Sequence, residues 1–264
     1  MSLARELKAK IIDKVWITPT VMGIRFEPSK DFKFRPGQFL SIYVPDPARP
    51  GQFVKRAYSF GSPYEIATHQ GYELCVKFVP GGLGTEYLAS LNVGDKIRIL
   101  APYGDFTYKR PEGGRTLCFI STGTGISPFR SMVLSREFLE NPPKKVLAIH
   151  GARTQDEILF PGVFESVGVQ STYAVSQPVG DYVGFKGRIT DYLRSLSKDW
   201  GWHQTDFFLC GNAQMVLDVC QILEGGHGVS KDAIFKEVFF MNRRTTDRTL
   251  DIDQRVMSIH KKSA

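Results

Sequence analysis

The chain lacks most of the features that would commit it to several large classes of protein. Its longest apolar runs, such as residues 117–120, are far shorter than the ~18–20 residues a membrane-spanning helix needs, so no membrane span is expected. Cysteine is scarce: Cys75, Cys118, Cys210 and Cys220 are the only four, and none stands in C-x-x-C spacing. That pattern excludes a zinc knuckle, and an iron–sulfur cluster held by this chain alone. The N-terminal MSLARELKAK has basic residues with no apolar stretch behind them, so no secretory signal is read there. Four reduced thiols in a cytoplasmic protein are the expectation. The five histidines show no ligand spacing, and no Ser–His–Asp arrangement can be drawn. His150, at the end of an apolar segment, reads as a satisfied core residue. Lys and Arg outnumber Asp and Glu by 34 to 27, for a net charge of +7 and a pI near 9.2. Yet they form no run beyond short pairs and fit no nucleic-acid motif, so no nucleic-acid partner is expected.

What remains is an ordinary globular composition over 264 residues, a length that suits two domains. Up to about residue 110 the chain reads as strands. KAKIIDKVWIT, VMGIRFEP, QFLSIYVP, KRAYSF, YELCVKFVP and KIRILAPYG are short, β-branched or aromatic, and divided by Pro, Gly and Asp. Six such segments at close spacing predict an antiparallel barrel or sandwich, interrupted by a single helix near residues 85–91. From Arg115 the rhythm changes. TLCFIST, KVLAIHGA, QSTYAVS and DFFLCGN are compact apolar strands, each followed by enough chain for a helix, which predicts a parallel sheet with right-handed crossovers. The hinge is placed in the polar segment 109–115. The resulting division is 1–112, 113–240 and a polar tail over 241–264.

Several turns carry the chemistry of anion binding. STGTGISPF (121–129) follows a strand and opens a helix read over FRSMVLSREFL; Gly123 and Gly125 permit close backbone approach, and the helix N-terminus supplies amide donors. It departs from G-x-G-x-x-G, because Ser127 and Pro128 stand where a third glycine would fall. RAYSFGSP places Arg56, Tyr58 and Ser59 on one strand, an arginine for a phosphate and an aromatic face for a flat heterocycle. PGGLGTEYL puts glycines and Thr85 at a helix start, a second phosphate-competent turn. FLCGN ends a strand where the cleft of an open parallel sheet lies, so Cys210 is either a small apolar filler or a neighbour of a nicotinamide. KEVFF reads as a last strand whose Glu237 is an edge carboxylate or an active-site one.

Taken in order, PGQF, RAYS, GGLGT, the stretch 94–106, GTGISPF, GRITDYL, LCGN and KEVFF resemble the ferredoxin–NADP(+) reductase superfamily, in particular bacterial ferredoxin/flavodoxin–NADP reductases, over residues 5–240. The resemblance implies a flavin-binding antiparallel β-barrel followed by an α/β parallel-sheet nucleotide-binding domain. It implies FAD, with Arg56, Ala57, Tyr58 and Ser59 on one side of the flavin site and Gly82, Gly84 and Thr85 completing its phosphate end. Phe239 takes the place of the aromatic that covers the other flavin face. It implies a dinucleotide held by Gly123, Thr124, Gly125, Pro128, Arg153, Ser176, Arg188 and Gly211, with Ser59, Cys210 and Glu237 around the reacting atoms. Two departures stand out: the tail runs on past the covering aromatic, and Ser176-Gln177 replaces the Ser-Arg of many NADP-specific members. Arg188 matches another arginine used for the 2′-phosphate, and no acid at 176 or 177 repels it. The balance tips to NADP(H), with NAD(H) left open. The implied activity is electron transfer between NAD(P)H and a one-electron carrier such as ferredoxin or flavodoxin, an acidic partner that the net charge would suit. An NADH-dependent reductase component of an oxygenase or cytochrome system, or a partner-dependent electron-transfer subunit, is the alternative.

Overall fold

The structure, a computed structural model, describes residues 4–239. The expectation of a tail over 241–264, and Phe240 of KEVFF, lie outside the described residues.

All six segments expected in the first half form strands: β1 (Arg5–Thr18), β2 (Val21–Pro28), β3 (Phe39–Pro45), β4 (Phe53–Ser59), β5 (Tyr72–Lys77) and β6 (Lys96–Tyr103). They make one antiparallel sheet in the order β4-β3-β6-β1-β2-β5. A bridge between Phe60 and Leu74 joins its two edges, so the sheet closes into a barrel rather than a sandwich. Strand alternation fills it: Ile97, Ile99 and Ala101 of β6 and Leu40, Ile42 and Val44 of β3 all point inward and are buried. Two helices, α1 (Tyr64–Gln70) and α2 (Leu83–Ser90), interrupt the strands where one was expected. YEIATHQ is short and lacks a strong apolar stripe, and it starts directly behind Pro63; only the closure of the barrel gives it a surface to cap.

The second half is a parallel sheet in the order β10-β9-β8-β7-β11-β12, built from β7 (Thr116–Thr122), β8 (Val146–Ala152), β9 (Gln170–Val175), β10 (Phe185–Lys186), β11 (Thr205–Asn212) and β12 (Ile234–Phe239). The two-residue β10 was not foreseen. The helix read over FRSMVLSREFL is instead two, α3 (Ser127–Val133) and α4 (Arg136–Glu140). The break falls at Ser135, whose hydroxyl accepts from the Phe138 amide at 3.3 Å and caps the second piece. After β8 the stretch long enough for a helix holds only a 3₁₀ turn and the four-residue α5 (Val163–Ser166); α6 (Ile189–Ser195) and α7 (Ala213–Cys220) complete the fold. No helix among the described residues is long and apolar enough to cross a membrane.

The two sheets are locked together. Residues 104–115 carry no regular element, yet Tyr108 is buried and packs its ring on Phe138 of the second half. Val21 and Cys75 of the barrel belong to the same apolar cluster as Phe119, Phe129 and Phe208. At the centre of this seam the Arg130 guanidinium donates to Glu73 at 3.0 Å and to the Gly61 carbonyl at 2.5 Å. Both side chains of that ion pair are largely buried, at 16% and 10% exposure.

Candidate active site

β7 sits in the middle of the parallel sheet, with β8 on one side and β11 on the other. Successive connections leave it in opposite directions, and the crevice at such a switch point is where open α/β sheets bind ligands. A cavity of about 440 Å³ lies there, at the C-terminal strand ends. Thr122 at the end of β7, Gly123 just after it, Arg153 after β8, Ser176 after β9, Arg188 before α6 and Asn212 at the end of β11 line it. Four of the expected nucleotide residues thus converge: Gly123, Arg153, Ser176 and Arg188. Arg153 and Arg188 are exposed, and among the described residues neither guanidinium pairs with a carboxylate.

Gly125, Pro128 and Gly211 are buried and do not line the cavity, while Thr124 is partly exposed beside it. Gly125 lies so close to β11 that a Cβ would overlap the Cys210 carbonyl. Gly211, at φ +144°, has room for no side chain either, because a Cβ would come within 2.5 Å of Thr122 Oγ1. These glycines let the turn after β7 and the end of β11 touch. That contact sets the cavity floor, a role distinct from holding a ligand directly.

The barrel contributes a second cluster. On β4, an edge strand of the hydrogen-bonded order, Arg56 and Tyr58 share one face and are partly buried, whereas Ala57 is exposed on the other. Gly84 of α2 is pressed onto them: a Cβ there would meet Arg56 Cγ at 2.7 Å and Tyr58 Oη at 3.0 Å. Gly82 begins α2 with no side-chain cap, which leaves the first-turn amides without a side-chain acceptor. Thr85 turns inward, donating to the Val79 carbonyl at 3.0 Å and pinning the loop. Burial raises the Tyr58 phenol to about 12, with Arg56 opposing. Amides without a side-chain acceptor, the Arg56 stem packed against Gly84 with its guanidinium donating to the Lys55 carbonyl, and an aromatic face form a cradle that fits a dinucleotide flavin's pyrophosphate and ring.

The two domains also touch at a point outside the cavity lining. Ser59, buried at the end of β4, donates to Glu237 Oε1 of β12 at 3.3 Å. In the parallel register Cys210 pairs with Glu237, and Phe239 with Asn212. Cys210 is fully buried; loss of hydration, and then the Glu237 charge, drive its thiol well above the ordinary range. Burial lifts Glu237 to about 7, with the Ser59 hydrogen bond pulling the other way. Ser59, Cys210 and Glu237, 178 residues apart at the extremes, are therefore brought together at the seam.

Two further residues at the cavity escaped sequence reasoning. Lys77, at the end of β5, reaches across to Glu157 at 3.1 Å and to Thr20 Oγ1 at 2.5 Å, and both Lys77 and Glu157 line the cavity. Nothing local in TQDE marks Glu157, since its partner lies 80 residues earlier. Glu73 did carry a signal: a carboxylate inside the apolar run YELCV must find a cation, and Arg130 is that cation.

A cradle on the barrel, a crevice at the switch point of the parallel sheet and a buried thiol and carboxylate at the seam fit a two-domain flavoprotein oxidoreductase. Comparison with known proteins finds two family matches. Residues 8–108 match the family described as oxidoreductase FAD-binding domain, and residues 119–221 the oxidoreductase NAD-binding domain. The chain is 30% identical to the ferredoxin–NADP reductase of Azotobacter vinelandii, covering 78% of this chain and 84% of that one. It is 28% identical to ferredoxin–NADP reductase B of Sorangium cellulosum (strain So ce56), over 90% of this chain and 99% of the relative. The reductase component of propane 2-monooxygenase from Rhodococcus jostii (strain RHA1) is 30% identical over 84% of this chain, which spans only 60% of that relative. Among solved structures, a ferredoxin NADP+ reductase from Neisseria gonorrhoeae shares the fold at a TM-score of 0.76 and 22% identity, over 91% of this chain and 100% of that one. The chain belongs to the ferredoxin–NADP(+) reductase superfamily. It is an FAD-dependent oxidoreductase that works with a nicotinamide dinucleotide.

Proposed function

We propose that the chain passes electrons between NADPH and a small acidic carrier of the ferredoxin or flavodoxin kind, using Ser59, Cys210 and Glu237 at the reacting atoms. The observation that carries this reading is the Ser59–Glu237 hydrogen bond, which joins the strand of the cradle, β4, to the edge strand β12 of the parallel sheet.

FAD, when bound, supplies hydride exchange with the nicotinamide and single-electron exchange with a carrier. The chain does the rest. Arg56 and the first-turn amides of α2, kept open by Gly82 and Gly84 and pinned by Thr85, neutralise a pyrophosphate. Tyr58 and Phe239 offer flat faces, while Ala57 contributes backbone between Arg56 and Tyr58. Gly123 and Thr124 approach the dinucleotide phosphates, while Gly125, Pro128 and Gly211 fix the turn that lets them do so. Arg153, Ser176 and Arg188 take the adenosine end; two unpaired guanidiniums there favour a 2′-phosphate and hence NADPH. Cys210, neutral because it is buried, walls the nicotinamide position against water. Glu237 holds a proton below about pH 7 and receives the Ser59 hydroxyl. The functional division is 1–112 for FAD and 113–240 for the dinucleotide. Four buried, unbridged thiols support a reducing, cytoplasmic setting.

The charge distribution favours an acidic carrier. Residues 1–112 hold 16 Lys and Arg against 11 Asp and Glu, whereas residues 113–240 hold 12 against 13. The positive excess lies on the flavin side, where a carrier must dock. An acidic partner is steered there, and salt screens the attraction over a Debye length of about 8–10 Å. With an acidic flavodoxin as acceptor, kcat/KM falls steeply between low and physiological ionic strength, while a neutral dye shows no such fall. Equal salt dependence for both acceptors sinks the docking argument. The likeness to a monooxygenase reductase component supports the second reading, an NADH-dependent reductase of an oxygenase.

A further inference from the structure

One buried titratable group takes no part in this account. His150, on β8, is 3% exposed, and its Nδ1 lies 3.1 Å from Ser121 Oγ on β7 while its Nε2 has no partner. Register explains why it matters. His150 pairs with Ser121, Ser121 with Cys210, and Cys210 with Glu237, on four neighbouring strands of the parallel sheet. In-register residues of adjacent strands point to the same face. His150, Ser121, Cys210 and Glu237 therefore form one row across the sheet, which Ser59 extends into the barrel. The rest of that face is apolar: Leu117, Phe119, Ala148 and Phe208 fill it. A polar row in such surroundings is costly unless its members satisfy one another.

We propose that His150 is a positioning residue for the flavin–nicotinamide reaction: as the neutral Nδ1–H tautomer it donates to Ser121 Oγ, fixing the side chain that packs beside Cys210. The inference rests on the function proposed above. The tautomer follows from the partners. A neutral imidazole has one N–H; placed on Nε2 it would be a buried donor with no acceptor, the costlier arrangement. On Nδ1 it has Ser121. As an acceptor from the β8 side, Ser121 turns its own hydroxyl hydrogen away from His150, and β11 with Cys210 is its other neighbour. Burial holds the imidazole near pKa 4, so the ring stays neutral at working pH. Tyr173, the next residue in register, meets the imidazole edge-on at 6.4 Å and closes the far end of the row.

The test uses the full-length holoenzyme. Imidazole ¹⁵N shifts of the wild type at pH 7 show His150 protonated on Nδ1 and bare on Nε2; an Nε2–H tautomer or a charged ring overturns the proposal without reference to activity. Rapid-mixing reduction of the flavin by NADPH supplies the second reading. His150→Phe keeps the volume and removes the donor. It lowers the limiting rate about tenfold, a loss of the size small misplacements near a reacting centre produce, with KM unchanged. His150→Asn places an amide where Nδ1 was and recovers most of that loss, whereas His150→Gln does not. If His150→Phe does not fold, Ser121→Ala must show the same drop. Wild-type rates in His150→Phe or Ser121→Ala overturn the inference. A wild-type flavin that NADPH and NADH both fail to reduce instead sinks the proposed function, which keeps the two failures apart.

Discussion

The two halves of the molecule build their binding surfaces by opposite means. The barrel presents its share on a single strand and one helix start, where alternation puts Arg56 and Tyr58 on one face and Gly84 presses an uncapped turn onto them. The parallel sheet presents its share at the ends of several strands far apart in sequence, which only the switch point gathers. A site made from one local segment tolerates damage elsewhere. A site made from many strand ends depends on every contact that fixes their relative heights, and the seam between the halves depends on both.

The largest expected effect comes from the seam itself. Arg130→Met leaves Glu73 as a buried, unpaired carboxylate and should cost about 3–5 kcal/mol of stability, read from denaturant unfolding. Recovery on adding Glu73→Leu would show that the penalty is the stranded charge. Next is the strand-end site. Arg188→Ala removes a charged donor from the cavity and should raise KM for NADPH by about 10- to 100-fold, equivalent to about 1.5–3 kcal/mol, while NADH is unaffected. Equal losses for both nucleotides would place Arg188 away from the 2′-phosphate. The remaining effect is that of pH. Burial raises the folded-state pKa of Glu237 to about 7, above its unfolded value, so its contribution to stability is full below about pH 4.5 and is lost as pH rises through 7. Thermal melts should show Tm falling across that window in the wild type and flat across it in Glu237→Gln. A parallel slope in both proteins would assign the change to other groups.

The same contrast governs what could be read from the sequence. Strands of the barrel were legible because alternation within each one is a local property, and all six stand where their residues indicated. RAYS lies on such a strand, with Arg56 and Tyr58 on one face, and GGLGT at a helix start. The missed elements owe their form to neighbours: α1 caps the closing barrel, and β10 is two residues that pair only because β9 lies beside them. Ser135 could have signalled the break between α3 and α4, since a serine inside a helical run is a natural cap. In the second half the family pattern pointed to Arg153 and Arg188, but Glu157 and Lys77 meet across 80 residues and across the domain seam, where no periodicity reaches. His150 was rightly read as buried; that one of its nitrogens goes unpartnered follows from the packing around it.

The central claim is that cradle and cleft serve one reaction, and anaerobic titration of the FAD-loaded protein with NADPH, and separately with NADH, tests it most directly. Bleaching of the flavin band at one equivalent of nucleotide, with NADPH the stronger reductant, is the predicted result. A bound flavin that neither nucleotide bleaches would contradict it.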